Sequence, residues 1–285
     1  MARIGDVLAV KRTLSLEFFP PKNETAHMTL GKTVGELEML HPDFVSITYG
    51  AGGSDRHRTG AVVDWMRRDT SFEPMPHLTC MGHTRTEVAG LVVDYRRSGV
   101  QNILALGGDE PVDGTPVRSD YRYALDLVHD VVASGSFSVG VAAHPEVHPR
   151  SVSRESDRRH LADKLGMADF AVTQFFFEVE HWQRLVDELA ALGVDKPVVP
   201  GIMPVTNLAS VHRMSKMSGT AVPAWLTERL ERCHDAEQAR RLGIEIATEL
   251  CRDLVEAGAP GLHLYTLNKA ATAKEIAMNV DLAVA

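Results

Sequence analysis

Cysteine is scarce: Cys80, Cys233 and Cys251 are the only three in 285 residues. They are too few and too widely spaced for a disulfide framework or a zinc cage, which suits a reducing cytoplasm. No apolar run approaches the roughly 20 residues of a membrane span. The opening MARIGDVLAVKR also lacks the apolar core of a secretory signal. Positive charge is in deficit: 30 Lys and Arg against 38 Asp and Glu give −8, which argues against a general nucleic-acid binder. A local basic pocket for an anionic small molecule stays compatible with that balance. A Gly-x-Gly-x-x-Gly turn, the mark of an open dinucleotide-binding sheet, follows none of the apolar runs, and ALGGDEP does not supply one. Linkers, low-complexity tracts and internal repeats are missing too, so residues 1–285 are expected to form one catalytic unit, with a homo-oligomer left open.

What is present is a steady beat of short β-rich runs: Ser15–Phe19, Phe44–Tyr49, Pro76–Cys80, Asn102–Leu106, Phe137–Ala143, Phe170–Phe177, Val198–Met203 and Leu262–Thr266. Most are continuously apolar, as strands covered on both faces are. Amphipathic stretches separate them. Trp182, Leu185, Val186, Leu189 and Leu192 share one helical face, as do Leu242, Ile246, Leu250 and Leu254, with Gly193 and Gly258 placed to stop those helices. Eight strand–helix units predict an α/β fold of the (β/α)8, or TIM, barrel type. The long stretch from Thr206 to Pro260 predicts extra helices inserted before the last strand.

Such a barrel carries its chemistry at the C-terminal ends of its strands. Those ends hold Glu17, Thr48 and Tyr49, Thr79, Gly108 and Asp109, His144, Gln174, Thr206 and Asn207, and Tyr265 with Asn268 and Lys269. Glu17, set between Leu16 and Phe18 in LSLEFFPPK, is the notable one, because burial disfavours the charged form of a carboxyl and makes it a proton donor. Asp109, beside glycines, is expected to stay ionised near a ligand. On the spacing alone HPEVH suggests a metal pair, but Pro145 and Pro149 make it a loop rather than a helix, so no metal is expected. TYGAGGS is a weak phosphate cradle, and Phe175–Phe177 are expected in the barrel core.

Taken in order, LSLEFFPPK, FVSITYGAGG, PHLTC, ALGGDEP, AAHPEVHP, VTQFFFE, VPGIMPVTN, VPAW and LHLYTLNK resemble the signature segments of the 5,10-methylenetetrahydrofolate reductase family along essentially the whole chain. That resemblance implies reduction of the folate's methylene bridge to a methyl group with NADH or NADPH and, ordinarily, FAD. It implies that Glu17 is the general acid opening the imidazolidine ring and that Asp109 contacts the pterin. Thr48, Gln174, Tyr265 and Leu267 would line the folate pocket. Lys269 stands where the family usually has Arg near the folate tail, keeping the charge and losing the bidentate fork. Gln174, His77, His144, His148, Asp157 and Leu208 are expected on the cofactor side. The short stretch after the last strand is expected to leave no room for a C-terminal regulatory domain.

The departures from the family pattern collect on the flavin. Gly107 stands for an Arg, His144 for a Tyr, His160 for an Asn and Asp163 for an Arg, with Asp157 and Lys164 retained. Each lost charged hydrogen bond removes roughly 1.5–3 kcal/mol, and Asp163 adds repulsion toward a pyrophosphate. The expectation is therefore direct hydride transfer from NADH in a ternary complex, with FAD bound poorly or not at all. An ordinary FAD-dependent ping-pong reductase is the alternative. A metal-dependent barrel hydrolase and a non-catalytic folate-binding protein are remoter ones.

Overall fold

The computed structural model describes residues 2–49, 56–109, 115–135 and 137–282, with only the backbone of Arg56 and His57. Its strands are β1 (Thr13–Phe18), β2 (Phe44–Ile47), β3 (Pro74–Thr79), β4 (Asn102–Leu106), β5 (Ser138–Ala143), β6 (Phe170–Thr173), β7 (Val198–Val199), β8 (Gly201–Ile202) and β9 (Gly261–Tyr265). All pair in parallel, in the order β7-β6-β5-β4-β3-β2-β1-β9-β8. β7 and β8 are one strand cut at Pro200, which has no N–H for the ladder. β7 pairs with β6 and β8 with β9, so this interrupted strand closes the (β/α)8 barrel.

The period of two along each strand separates two environments. Leu14, Leu16 and Phe18 of β1 face outward into the main core, with Val45 and Ile47 of β2 and Val139 and Val141 of β5, beneath the surrounding helices. Inside the barrel, Phe44, Met75, Leu104, Phe170, Val172 and Val199 form a separate apolar plug. Its lower end is stopped by α1 (Ile4–Leu8), a helix the sequence pattern did not announce. Ile4 and Leu8 join the plug, and the Ile4 and Gly5 amides donate to Asn102 Oδ1 (2.8 Å) and Ser138 Oγ (3.1 Å).

Between β8 and β9 run α8 (Leu208–Ser218), α9 (Ala224–Glu231) and α10 (Ala236–Glu256), the expected insertion. α10 starts where the Asp235 side chain accepts from the Gln238 amide (2.8 Å) and stops before Gly258, whose φ is +89°. These helices cover a second cluster containing Phe175, Phe177, Met203, Val205, Leu226 and Ile246. The sixth strand therefore ends earlier than its phenylalanines suggest. After Thr173 the chain leaves the ladder, Phe175 and Phe177 enter the satellite cluster, and only Phe176 joins the main core.

Gly201 is required by close approach. A Cβ there would meet the Thr173 carbonyl and lie 2.7 Å from the Tyr265 ring. Gly201→Ala is expected to cost about 1–3 kcal/mol by overpacking and to lower the midpoint of denaturant unfolding; an unchanged midpoint would contradict this packing.

Candidate active site

Register brings the acid its neighbours. Glu17 pairs across the ladders with Ser46 on β2 and Tyr265 on β9. Its carboxyl is 7% exposed. Oε2 lies 3.3 Å from Ser46 Oγ, 3.4 Å from His77 Nε2 and 3.8 Å from His263 Nε2. The phenylalanines that flank Glu17 in sequence are not what surrounds it: Phe18 turns to the helix side, and the carboxyl faces polar groups on the inner wall. His77, expected on the cofactor side, sits against Glu17. Burial pulls His77 down to about 4 against the opposing pull of Glu17, so the ring is neutral near pH 7.

Past β9 the chain makes a strained turn. Leu267 and Asn268 both have positive φ, 52° and 54°, costing on the order of 1 kcal/mol or more each. The turn is held by its neighbours. Asn268 Oδ1 accepts from the Phe19 amide (2.8 Å) and Nδ2 donates to the Phe19 carbonyl (2.9 Å), so the side chain extends the β1–β9 ladder. Thr266 Oγ1 donates to the Glu17 carbonyl at 2.6 Å. Tyr265, its hydroxyl donating to the Thr173 carbonyl (2.6 Å), is raised well above the usual phenol range by burial. Leu267 is half-buried at this rim, whereas Lys269 is exposed at the start of α11 (Ala270–Met278). Thr48 is half-buried beyond β2, its amide on the Phe18 carbonyl (3.0 Å). The glycine-rich stretch that follows, residues 50–54, lies outside the described residues.

A second group gathers beyond β5 and β6. Gln174, half-buried, turns its Oε1 to the Phe175 amide (3.0 Å) and shares a small cavity with His144, Glu146 and Thr220. His144 and His148 pack edge to face, 4.4 Å between centroids. Burial, then His148, pulls His144 down to about 3; burial and Arg150 lower His148, which also feels Asp109. Asp109 itself is exposed past β4 and shares no contact with Glu17 among the described residues. Among those residues no three His, Cys, Asp or Glu side chains converge as a metal site. Leu208 opens α8 and packs on the satellite cluster.

The positions expected to meet a flavin do not form a cradle. The Asp157 carboxylate is taken up by the His148 amide (3.2 Å), the Ser151 hydroxyl (2.9 Å) and the buried Arg158 (2.5 Å). Lys164 Nζ donates to the Ala142 carbonyl (2.8 Å), and burial pulls it down to about 8. His160 stacks on Tyr123, 6.5 Å between centroids. Asp163 lines an open groove with Asp126, Asp130, His129 and Arg85, and Arg85 pairs with Asp130 (2.5 Å). These donors do not fit an anionic dinucleotide of flavin. Gly107 has no side chain, yet a Cβ there would lie 3.5 Å from Arg150 Nη2. The mouth thus keeps a cation, delivered from the neighbouring loop.

Sequence reading passed over Ser46, His263 and Arg150. The first two carried a signal: each is a lone polar residue in an apolar run, FVSIT and LHLY, at a phase that faces inward. Arg150 carried none, since only the fold brings it over Gly107.

A family model described as methylenetetrahydrofolate reductase matches residues 3–281. A 5,10-methylenetetrahydrofolate reductase of Pectobacterium carotovorum is 38% identical, with 90% of this chain and 86% of that protein covered. Methylenetetrahydrofolate reductase (NADH) 1 of Arabidopsis thaliana is 36% identical over 94% of this chain, which spans 48% of the plant protein. Among solved structures, an uncharacterized Clostridium thermocellum protein that binds two copies of 5-methyl-5,6,7,8-tetrahydrofolic acid shares the fold, with TM-score 0.67, 15% identity and 96% of each chain covered.

Depressed folded-state values of His77 and His144 have a defined consequence for stability. The unfolded chain takes up their protons near the ordinary histidine value of about 6.5 while the folded chain refuses them. Stability is therefore fully present above that value and is lost as pH falls towards about 4 for His77 and about 3 for His144. Each contributes a slope of at most about 1.4 kcal/mol per pH unit. Denaturant melts between neutral and acid pH should show this slope, and His144→Gln should flatten it; an unaltered slope would contradict a neutral buried His144.

Proposed function

The chain belongs to the methylenetetrahydrofolate reductase family, and from that premise we propose that it passes hydride directly from NADH to 5,10-methylenetetrahydrofolate without a bound flavin. Glu17 protonates the bridging nitrogen on the tail side of the folate, and that nitrogen's bond to the methylene carbon breaks. The remaining pterin nitrogen shares its lone pair with the carbon as an iminium. The nicotinamide then delivers its hydride and electron pair to that carbon, leaving a methyl group and NAD. One proton and one hydride enter, which balances the reduction.

The observation that carries the flavin-free reading is the spent donor set on α6 (Arg154–Leu165). Lys164 serves a carbonyl, Asp157 serves Arg158 and its own loop, and Asp163 brings a carboxylate where the pattern has a cation. Arg150, over Gly107, supplies a cation for the phosphates of the nicotinamide dinucleotide. His144 and His148, both neutral near pH 7, offer aromatic surface for its ring. Gln174 and Tyr265 flank the folate, Asp109 and Thr48 lie at the rim toward the pterin, and the exposed Lys269 meets the anionic tail. NADH is favoured over NADPH by the Arabidopsis relative, whose name specifies NADH.

With nothing to store the hydride, both substrates must be bound at once with the reacting carbons at near-attack distance. Initial-rate plots against NADH at several fixed folate concentrations should intersect, and the freshly purified protein should lack a yellow flavin band. Parallel lines with copurified FAD would return the protein to ping-pong transfer.

A further inference from the structure

Beneath Glu17 the inner wall carries one continuous chain of polar groups. Ser15 Oγ lies 3.1 Å from the Leu262 carbonyl and 2.8 Å from His263 Nδ1. His263 Nε2 lies 3.3 Å from Ser46 Oγ, which in turn is 3.3 Å from Glu17 Oε2. Ser15, Ser46 and His263 are each 0% exposed, so their hydrogens must be placed within the chain.

Counting those hydrogens gives the chain a direction. Ser15 Oγ donates to the Leu262 carbonyl. With that hydrogen so placed, the close Nδ1 contact requires the His263 ring hydrogen on Nδ1, leaving Nε2 a bare acceptor. Ser46 has one hydrogen and two claimants, Nε2 and Glu17 Oε2. While Glu17 is protonated it donates to Ser46, Ser46 donates to Nε2, and each hydroxyl hydrogen of the chain has an acceptor. Once Glu17 has lost its proton, a hydroxyl turned to the carboxylate makes a charge-assisted bond, and Nε2 gives up its donor.

We infer that Ser46 is a hydroxyl rotor shared between Glu17 and His263, and that Ser46 and His263 are positioning residues governing how readily the acid holds and releases its proton. This rests on Glu17 being the acid of the proposed reaction. The proton leaves Glu17 for the substrate nitrogen, the Ser46 O–H bond rotates without breaking, no proton passes to His263, and Glu17 is reprotonated from solvent after product release. Among the described residues, the other titratable groups facing Glu17 are His77 on β3 and Tyr265 on β9. Near neutral pH neither changes charge, because burial keeps His77 neutral and the Tyr265 phenol protonated.

The rotor predicts shifts of opposite sign in the pH dependence of kcat, which falls at high pH as the acid is lost. Ser46→Ala removes the carboxylate's donor, so the basic limb should move up by at least about half a pH unit, with plateau kcat about tenfold lower. His263→Phe leaves the Ser46 hydrogen always available to the carboxylate, so the limb should move down by a similar amount. The double variant should stay close to Ser46→Ala alone, because the direct His263 Nε2–Glu17 Oε2 approach, 3.8 Å, is longer than a hydrogen bond. Folate KM should stay within about threefold throughout. Superimposable profiles, or shifts of one sign, overturn the rotor. Should His263→Phe fail to fold, nitrogen NMR of the native protein decides: a neutral His263 with its hydrogen on Nδ1 is expected, and the Nε2–H form overturns the chain's direction. Glu17→Gln separates the two claims. Near-native turnover would remove the acid itself, whereas an inactive Glu17→Gln beside unshifted Ser46→Ala profiles would remove only the rotor.

Discussion

A carboxyl on the inner wall of a parallel barrel is the constraint to which the rest of the site answers. Taking an ion out of water costs several kcal/mol unless partners replace its hydration, and Glu17 has almost no solvent contact. Parallel register answers by setting Ser46 and Tyr265 at its level and His263 one step below. The apolar plug, stopped by α1, fills the barrel beneath this polar layer. Gly201 leaves room for the Tyr265 ring. Asn268 ties the strained β9 turn to the backbone just beyond Glu17, so the acid is held by its main chain as well as by its neighbours.

Much of this was legible in the sequence because strand periodicity and turn chemistry are local. Continuous apolar runs marked the strands, and the long Thr206–Pro260 interval marked the inserted helices. Glu17 was legible as a polar intruder. Its surroundings were not, since a residue's sequence neighbours in a strand point to the opposite face. Phe18 therefore misled, while Ser46 and His263, distant in sequence, supply the real environment. The end of β6 misled for a related reason: Phe175 and Phe177 continue an apolar run but serve the cluster under α8, α9 and α10. His77, expected on the cofactor side, has the acid as a neighbour that its sequence position did not announce.

On the cofactor side the chain shows redistribution of charge more than simple loss. Asp157 and Lys164 retain the residue types that the resemblance implies, but each is consumed by internal bonds. Arg150 brings a guanidinium over Gly107 from a different loop. Under the proposed flavin-free reaction, a cation at the mouth would meet a nicotinamide dinucleotide that visits and leaves, with affinity set by few charged contacts.

The central claim, hydride passing from nicotinamide to folate with no carrier between, is tested most directly by isotope tracing. With NADH carrying deuterium at the transferred position and turnover in ordinary water, the account predicts one deuterium in the methyl group of every product molecule. Washout of the label to solvent hydrogen would mean that a carrier with an exchangeable hydrogen intervenes, and would contradict it.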